Sequence, residues 1–138
     1  MDSPSLAQRL LELALRDDQA FRKLSGDPDV HESIWGFHAQ QAVEKALKAV
    51  LAHAGVAVRR THDIAELLDV IADTGLVSPP HADRLDELNP YAVEYRYGLV
   101  DLVGLDRTET GLMLNAVLSW SSVYLANGCV VHQDPDHF

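Results

Sequence analysis

A row of polar side chains lies along one side of segment 31–54. Its members follow one another at steps of three, four and three residues: His38, Gln41, Lys45 and Lys48. Residues three and four apart are neighbours on a helix surface, so these side chains form one narrow strip. The two ammonium groups offer positive charge to a phosphate, and the imidazole and amide beside them offer hydrogen bonds. The row is therefore a candidate binding site for an anionic ligand.

Arg96 adds a second kind of cation to this hypothesis, because its forked donors suit phosphate oxygens. A structural interpretation of the same residues is also open. In that interpretation Lys45 and Lys48 are solvated, as cations near a helix C-terminus often are, and Arg96 pairs with Glu44 or Glu94 inside the fold. The sequence leaves both interpretations open.

The apolar residues of segment 31–54 predict the helix that carries the polar row. At about 100° per residue they fall on one broad arc, formed by Trp35, Ala39, Ala42, Val43, Ala46, Val50 and Ala54. Alanine on such an arc lets another backbone approach closely. We therefore expect this helix at the centre of an antiparallel bundle.

Four further helices are predicted around the central one. The first begins near Ser3 or Ser5 and reaches about Leu24, with Asp17 and Asp18 on its solvated face. The last runs from about residue 108 to 127. No alternating strand pattern of useful length is present. The predicted fold is an all-α, up-and-down antiparallel bundle of about five helices.

The two remaining helices lie between residues 61 and 97. One ends at Gly75 and is opened by Asp63 with Glu66, which have the form of a capping box, so the simplest role for Asp63 is to cap. His62 is then a partly exposed residue at the start of that helix. The other starts near residue 85, and Pro90 is expected to kink or divide it.

Composition and length bound the class of protein. The chain has 138 residues, 47% of them hydrophobic and 23% charged, which predicts one domain over 1–138 with a core over about 5–128 and a tail over 129–138. No apolar run approaches about 18 residues and no signal peptide is recognisable, so we expect a cytoplasmic protein without a membrane partner.

Net charge, the single cysteine and the metal-ligating residue types narrow the class of protein further. The net charge of −10 argues against generic nucleic-acid binding, although the four cations Lys45, Lys48, Arg59 and Arg60 lie between residues 45 and 62 without an acid. A single cysteine, Cys129, cannot form an internal disulfide. The tail segment His132–His137 has metal-ligand residue types but no specific spacing. We expect no metal and no cofactor.

Three sequence blocks resemble a known family. HAQQAVEKALK at 38–48, THDI at 61–64 followed by LL at 67–68, and YAVEYRY at 91–97 are similar to blocks of the HEPN domain (higher eukaryotes and prokaryotes nucleotide-binding). The likeness covers roughly residues 5–128. It implies an all-helical domain that usually forms a homodimer and is often encoded beside, or fused to, a minimal nucleotidyltransferase.

Many members of that family are metal-independent ribonucleases with an arginine followed, after four to six residues, by a histidine. Arg96 would require a histidine at 101, 102 or 103, where this chain has Asp101, Leu102 and Val103. Cleavage through the 2′-OH needs a group that exchanges protons near neutral pH, for which an exposed aspartate is unsuited. His62 or His38 could in principle substitute for the missing histidine, but nothing in the sequence indicates that either does.

The resemblance implies a nucleotide- or RNA-binding module that acts as companion of a minimal nucleotidyltransferase, including as one half of a toxin–antitoxin pair. The alternative is a metal-independent endoribonuclease of the HEPN type in which the motif of arginine and histidine is incomplete. In a few related transferases the helical domain supplies a carboxylate as base, and Glu44 is the corresponding candidate. The candidates for catalysis are thus Glu44, His62 and Arg96, and those for binding are His38, Gln41, Lys45, Lys48, His62 and Arg96.

Overall fold

Helices make up every regular element of a computed structural model that describes residues 4–58, 60–92 and 104–127. The elements are α1 (Leu6–Ser25), α2 (Glu32–His53), α3 (Ile64–Asp73), a 3-10 helix (Leu85–Tyr91) and α4 (Arg107–Asn127). The prediction of an all-α bundle of about five helices is confirmed.

Helix α2 is the central element, as its alanine-rich arc predicts. It packs against α1, α3, α4 and the 3-10 helix. Ala39, Ala42 and Ala46 have no exposed surface, and Trp35 is buried against Phe21 with ring centroids 5.8 Å apart. Small side chains at these positions let neighbouring backbones approach closely, which explains how one helix can contact all the others.

The directions of the long helices follow from contacts between them. Asp17 on α1 meets Lys45 on α2, whereas Phe21, four residues later, meets Trp35. Helix α1 is therefore antiparallel to α2. Arg107 Nη1 donates to the Ser25 carbonyl at 2.7 Å, and Ser121 Oγ donates to the Ala46 carbonyl at 3.0 Å. Helix α4 thus runs antiparallel to α1 and in the same direction as α2.

Local sequence signals fix the helix ends. Ser5 caps α1 through a reciprocal pair, because Ser5 Oγ accepts from the Gln8 amide at 3.1 Å and Gln8 Oε1 accepts from the Ser5 amide at 3.0 Å. Asp63 caps α3, with Oδ1 accepting from the Ala65 amide at 2.9 Å. Gly55 follows α2 with a φ of +79°, a conformation that favours glycine.

Segment 85–91 differs from the prediction. It forms a 3-10 helix with Pro90 inside it rather than an α-helix, and Pro90 has no amide to donate to an α-helical hydrogen bond. The Ile64 amide donates to Asn89 Oδ1 at 2.9 Å, and Asn89 Nδ2 donates to Asp63 Oδ1 at 3.0 Å. Asn89 therefore ties the 3-10 helix to the start of α3. The predicted continuation through residues 93–97 lies outside the described residues.

The described residues contain neither a membrane-spanning helix nor a cluster of metal ligands. None of the helices they contain combines the length and apolar character needed to cross a membrane. Residues 4–58, 60–92 and 104–127 contain no group of three or more histidine, cysteine or acidic side chains placed to hold a metal ion. Cys129 and the segment His132–His137 lie outside those ranges.

Candidate functional site

The carboxylate of Glu44 is the centre of the candidate site, and its residue is only 3% exposed. Three donors converge on it: Gln40 Nε2 at 3.2 Å, Lys48 Nζ at 3.0 Å and His62 Nδ1 at 2.9 Å. Gln41 joins them, because its Nε2 donates to Gln40 Oε1 at 2.7 Å. These five residues, Gln40, Gln41, Glu44, Lys48 and His62, are called the Glu44 cluster below.

Helix geometry and burial account for the cluster. Gln40, Glu44 and Lys48 are four residues apart along α2, so their side chains lie in one line on its surface. Gln40 is fully buried and uses the same Nε2 to donate to the His62 carbonyl at 3.0 Å. A buried amide needs such partners, and this second bond fixes the main chain just before α3 against α2.

His62 is the member of the cluster that meets solvent. Its side chain is 67% exposed although Nδ1 lies 2.9 Å from Glu44 Oε1. When the ring is neutral and Nδ1 carries the proton, Nε2 is a hydrogen-bond acceptor. The cap formed by Asp63 and Asn89 holds the following turn in place. The cluster therefore presents an imidazole whose orientation is set by a buried carboxylate.

The remaining members of the polar row face α1. His38 Nδ1 lies 2.9 Å from Asp17 Oδ1, and Lys45 Nζ lies 2.5 Å from Asp17 Oδ2. The side chain of Asp17 is 12% exposed, so the expectation that it lies on a solvated face is wrong. The reason is that this side of α1 packs against the polar row of α2 and supplies its counter-charge.

Both lysines of the row are thus ion-paired, Lys45 with Asp17 and Lys48 with Glu44. Their side chains are 24% and 12% exposed, so neither is the solvated lysine of the structural interpretation. Their charges are also compensated within the bundle. The structure joins Gln41, Lys48 and His62 around Glu44 and places His38 and Lys45 around Asp17. Arg96 and its suggested pairing with Glu44 or Glu94 lie outside the described residues.

Sequence reasoning missed two residues of this arrangement. Gln40 could have been found, since it lies four residues before Glu44, and Glu44 lies four before Lys48. Asp17 carried no such local signal. Its role depends on the register of α1 against α2, which the pattern of apolar residues does not specify.

A further missed residue is Glu32 in the first turn of α2. The Tyr91 hydroxyl donates to Glu32 Oε2 at 2.5 Å, and the Leu105 amide donates to Glu32 Oε1 at 2.9 Å. Burial and the hydrogen bond to Glu32 raise the pKa of the Tyr91 hydroxyl well above its usual range. One carboxylate therefore holds the residues on both sides of segment 93–103.

The fold and the cluster together define an all-α domain in which a polar site is built on a buried central helix. The family model of the HEPN domain matches residues 7–117, and the chain belongs to this family. The chain is similar to the crystal structure of TT1696 from Thermus thermophilus, with a TM-score of 0.67. The sequence identity is 23%, and the match covers 91% of this chain and 100% of that one. That likeness shows a shared fold. No curated protein matches the chain.

Proposed function

We propose that this chain is the companion subunit of a minimal nucleotidyltransferase and that the Glu44 cluster is its contribution to the shared nucleotide site. Membership of the HEPN family supports the partnership, because the resemblance is to domains encoded beside such transferases. The observation that carries the proposal is a buried carboxylate, Glu44, that orients the exposed imidazole of His62.

The chemistry assigns a role to each member of this pair. In nucleotidyl transfer the acceptor oxygen attacks the α-phosphorus of a nucleoside triphosphate, pyrophosphate leaves, and the acceptor hydroxyl loses its proton. His62 Nε2 takes that proton, and the charge of Glu44 stabilises the imidazolium that forms. Because Glu44 is buried, it acts as a positioning residue rather than as the base itself. Gln40 and Lys48 keep its carboxylate in place.

The test is made on the complex of this chain with the minimal nucleotidyltransferase proposed as its partner, by following transfer from a labelled nucleoside triphosphate. His62→Ala is expected to lower kcat by about 10²–10⁴-fold. The KM for the triphosphate is expected to stay nearly constant.

A matched control is available in His81→Asn. His81 is an exposed histidine outside the cluster with a φ of +60°, a conformation that asparagine tolerates. This variant is expected to leave kcat unchanged. Failure of the two subunits to co-purify contradicts the partnership, and an unchanged rate in His62→Ala contradicts the assigned base.

Phosphate binding by the polar row is tested separately by calorimetry with ATP and with a short RNA. The double variant Lys45→Met/Arg96→Gln is expected to weaken binding, because it removes the Arg96 cation and leaves the Asp17 carboxylate without its lysine partner. Binding of equal strength in the double variant, or no binding to the wild-type chain, removes the row as a phosphate site.

A second candidate function, metal-independent RNA cleavage, is favoured by the same exposed imidazole of His62, which could stand in for the histidine absent at 101–103. Incubation of the purified chain with RNA in the presence of a chelator decides it. Rapid cleavage that His62→Ala abolishes supports this candidate. Intact RNA supports the companion role.

We extend the proposal to a homodimeric chain that forms a toxin–antitoxin pair with the transferase. Light scattering of the purified chain gives the oligomeric state, and a monomer at micromolar concentration contradicts the homodimer. Expression of the chain alone and with the transferase tests the pair. Growth arrest that the transferase relieves supports it, and normal growth in both cases contradicts it.

A further inference from the structure

A groove lies between the end of α1 and the start of α4, on elements that contribute nothing to the Glu44 cluster. Its volume is about 400 Å³, which falls within the range of about 300–1,000 Å³ common for small-molecule sites. Its lining includes two arginines, an aromatic ring and a hydroxyl: Arg22, Arg107, Phe21 and Thr108. The groove thus combines positive charge with an apolar surface.

The charge that the groove offers belongs to Arg107. Its Nη1 donates to the Ser25 carbonyl at 2.7 Å, a neutral acceptor. Within residues 4–58, 60–92 and 104–127, no carboxylate lies at ion-pair distance from this guanidinium, whereas Arg22 is paired with Asp18 at 2.9 Å. A guanidinium has five N–H donors. One of the five is used, so Arg107 keeps four N–H donors and an uncompensated charge for an anion.

The apolar surface of the groove belongs to Leu112, which is 60% exposed. Beside it, a Cβ built at Gly111 would lie 3.6 Å from Cε2 of Phe21, a lining ring that is itself buried, with 2% of the residue exposed. The missing side chain at residue 111 leaves a shallow hollow next to Leu112. An aromatic or aliphatic group in this hollow covers Leu112 and removes apolar surface from water.

We propose that this groove binds a small phosphate monoester with an aromatic or apolar body. The phosphate lies against Arg107 and the Thr108 hydroxyl, since a guanidinium and a hydroxyl are the donors that phosphate oxygens prefer. The body lies against Leu112 and over Gly111. The inference is independent of the proposed function, because the groove shares no residue with the Glu44 cluster.

The experiment is a titration of the ¹⁵N-labelled full chain, followed by amide chemical shifts, with phenyl phosphate, inorganic phosphate and phenol as separate probes. Phenyl phosphate is expected to shift the amides of Thr108 and Gly111 saturably and to bind at least about tenfold more tightly than either fragment. Arg107→Gln is expected to weaken it at least about tenfold.

Two variants separate the contributions of charge and apolar surface. Gly111→Ala adds a methyl group at ordinary contact distance from Phe21, so the fold is kept while the hollow beside Leu112 is filled. It is expected to weaken phenyl phosphate several-fold and to leave inorganic phosphate unchanged. Arg16→Gln removes an exposed α1 cation outside the groove and is expected to change neither.

Three outcomes overturn the proposal. One is the absence of saturable shifts at Thr108 and Gly111 at millimolar phenyl phosphate. Another is an equal loss in Arg16→Gln and Arg107→Gln, which would indicate nonspecific attraction to positive charge. The third is equal affinity for phenyl phosphate and inorganic phosphate, which would show that Leu112 takes no part.

Discussion

Glu44 illustrates how a buried charge is tolerated at the scale of one residue. Removing a carboxylate from water costs several kcal/mol unless partners replace the lost hydration. Gln40, Lys48 and His62 supply three hydrogen bonds within 3.2 Å. Gln40 and Lys48 are themselves buried or nearly so, and each needs the carboxylate as a hydrogen-bond acceptor. Of the three donors, the ring of His62 is the one that is exposed.

Replacement of Glu44 by leucine is expected to lower the free energy of unfolding by about 3–5 kcal/mol, because Lys48 and Gln40 lose their buried acceptor. Urea unfolding measures this change. Glu12→Gln, on the exposed side of α1, serves as the control and should stay within about 0.5 kcal/mol of the wild type. The double variant Glu44→Leu/Lys48→Leu should recover part of the loss. A small effect of Glu44→Leu alone would mean that the network contributes little to stability.

Tyr91 makes stability depend on alkaline pH. Its pKa is raised in the folded chain, first by burial and then by the bond to Glu32, so the unfolded chain ionises earlier. The contribution is fully present below the unfolded pKa of about 10 and is lost progressively as the pH rises above it. Urea unfolding across pH 9 to 11 should show falling stability with a shallower slope in Tyr91→Phe. Identical slopes would show that the hydroxyl titrates normally in the fold.

At the scale of elements, the sequence predicted those helix ends and packing roles that depend on residues close together in the chain. The start of α1 at Ser5, the cap at Asp63 and the central role of α2 all follow from local spacing and side-chain size. Helix geometry also grouped His38, Gln41, Lys45 and Lys48 in one row. The structure divides this row, with His38 and Lys45 paired to Asp17 and with Gln41 and Lys48 in the Glu44 cluster. Their partners were not predictable, because Asp17 reaches Lys45 across 28 positions of the chain, and His62 reaches Glu44 across 18.

Two glycines inside helices give opposite predictions for the same change to alanine. A Cβ at Gly36 would lie 2.3 Å from Cδ1 of Tyr91, whereas one at Gly111 meets Phe21 at 3.6 Å. Alanine favours a helix by about 1 kcal/mol over glycine, but overpacking costs about 1–3 kcal/mol. Gly36→Ala should therefore lower the urea midpoint and Gly111→Ala should raise it, with unchanged m-values. An increase in both would show that the ring of Tyr91 moves aside at little cost.

At the scale of the molecule, the net charge of −10 is unevenly distributed. Residues 61–92 carry the seven acids Asp63, Glu66, Asp69, Asp73, Asp83, Asp86 and Glu87, with Arg84 as their single arginine or lysine. Cations without a described carboxylate partner lie mainly along α1 and at the start of α4, including Arg9, Arg16, Lys23 and Arg107. A polyanion would therefore approach the α1 and α4 side more favourably than the α3 side.

One core joins α1, α2, α3, the 3-10 helix and α4 around the same buried residues of α2. A chain built in this way is expected to unfold in a single cooperative step, as small domains with one core usually do. Trp35 reports on the start of α2, and Trp120 reports on α4, where it packs against the core. In the variants Trp35→Phe and Trp120→Phe, the fluorescence of the remaining tryptophan should therefore change at the same urea concentration as the far-ultraviolet circular dichroism of that variant. If the Trp120 signal were lost at a lower concentration, α4 would be a separately unfolding unit, and a single domain over 1–138 would be contradicted.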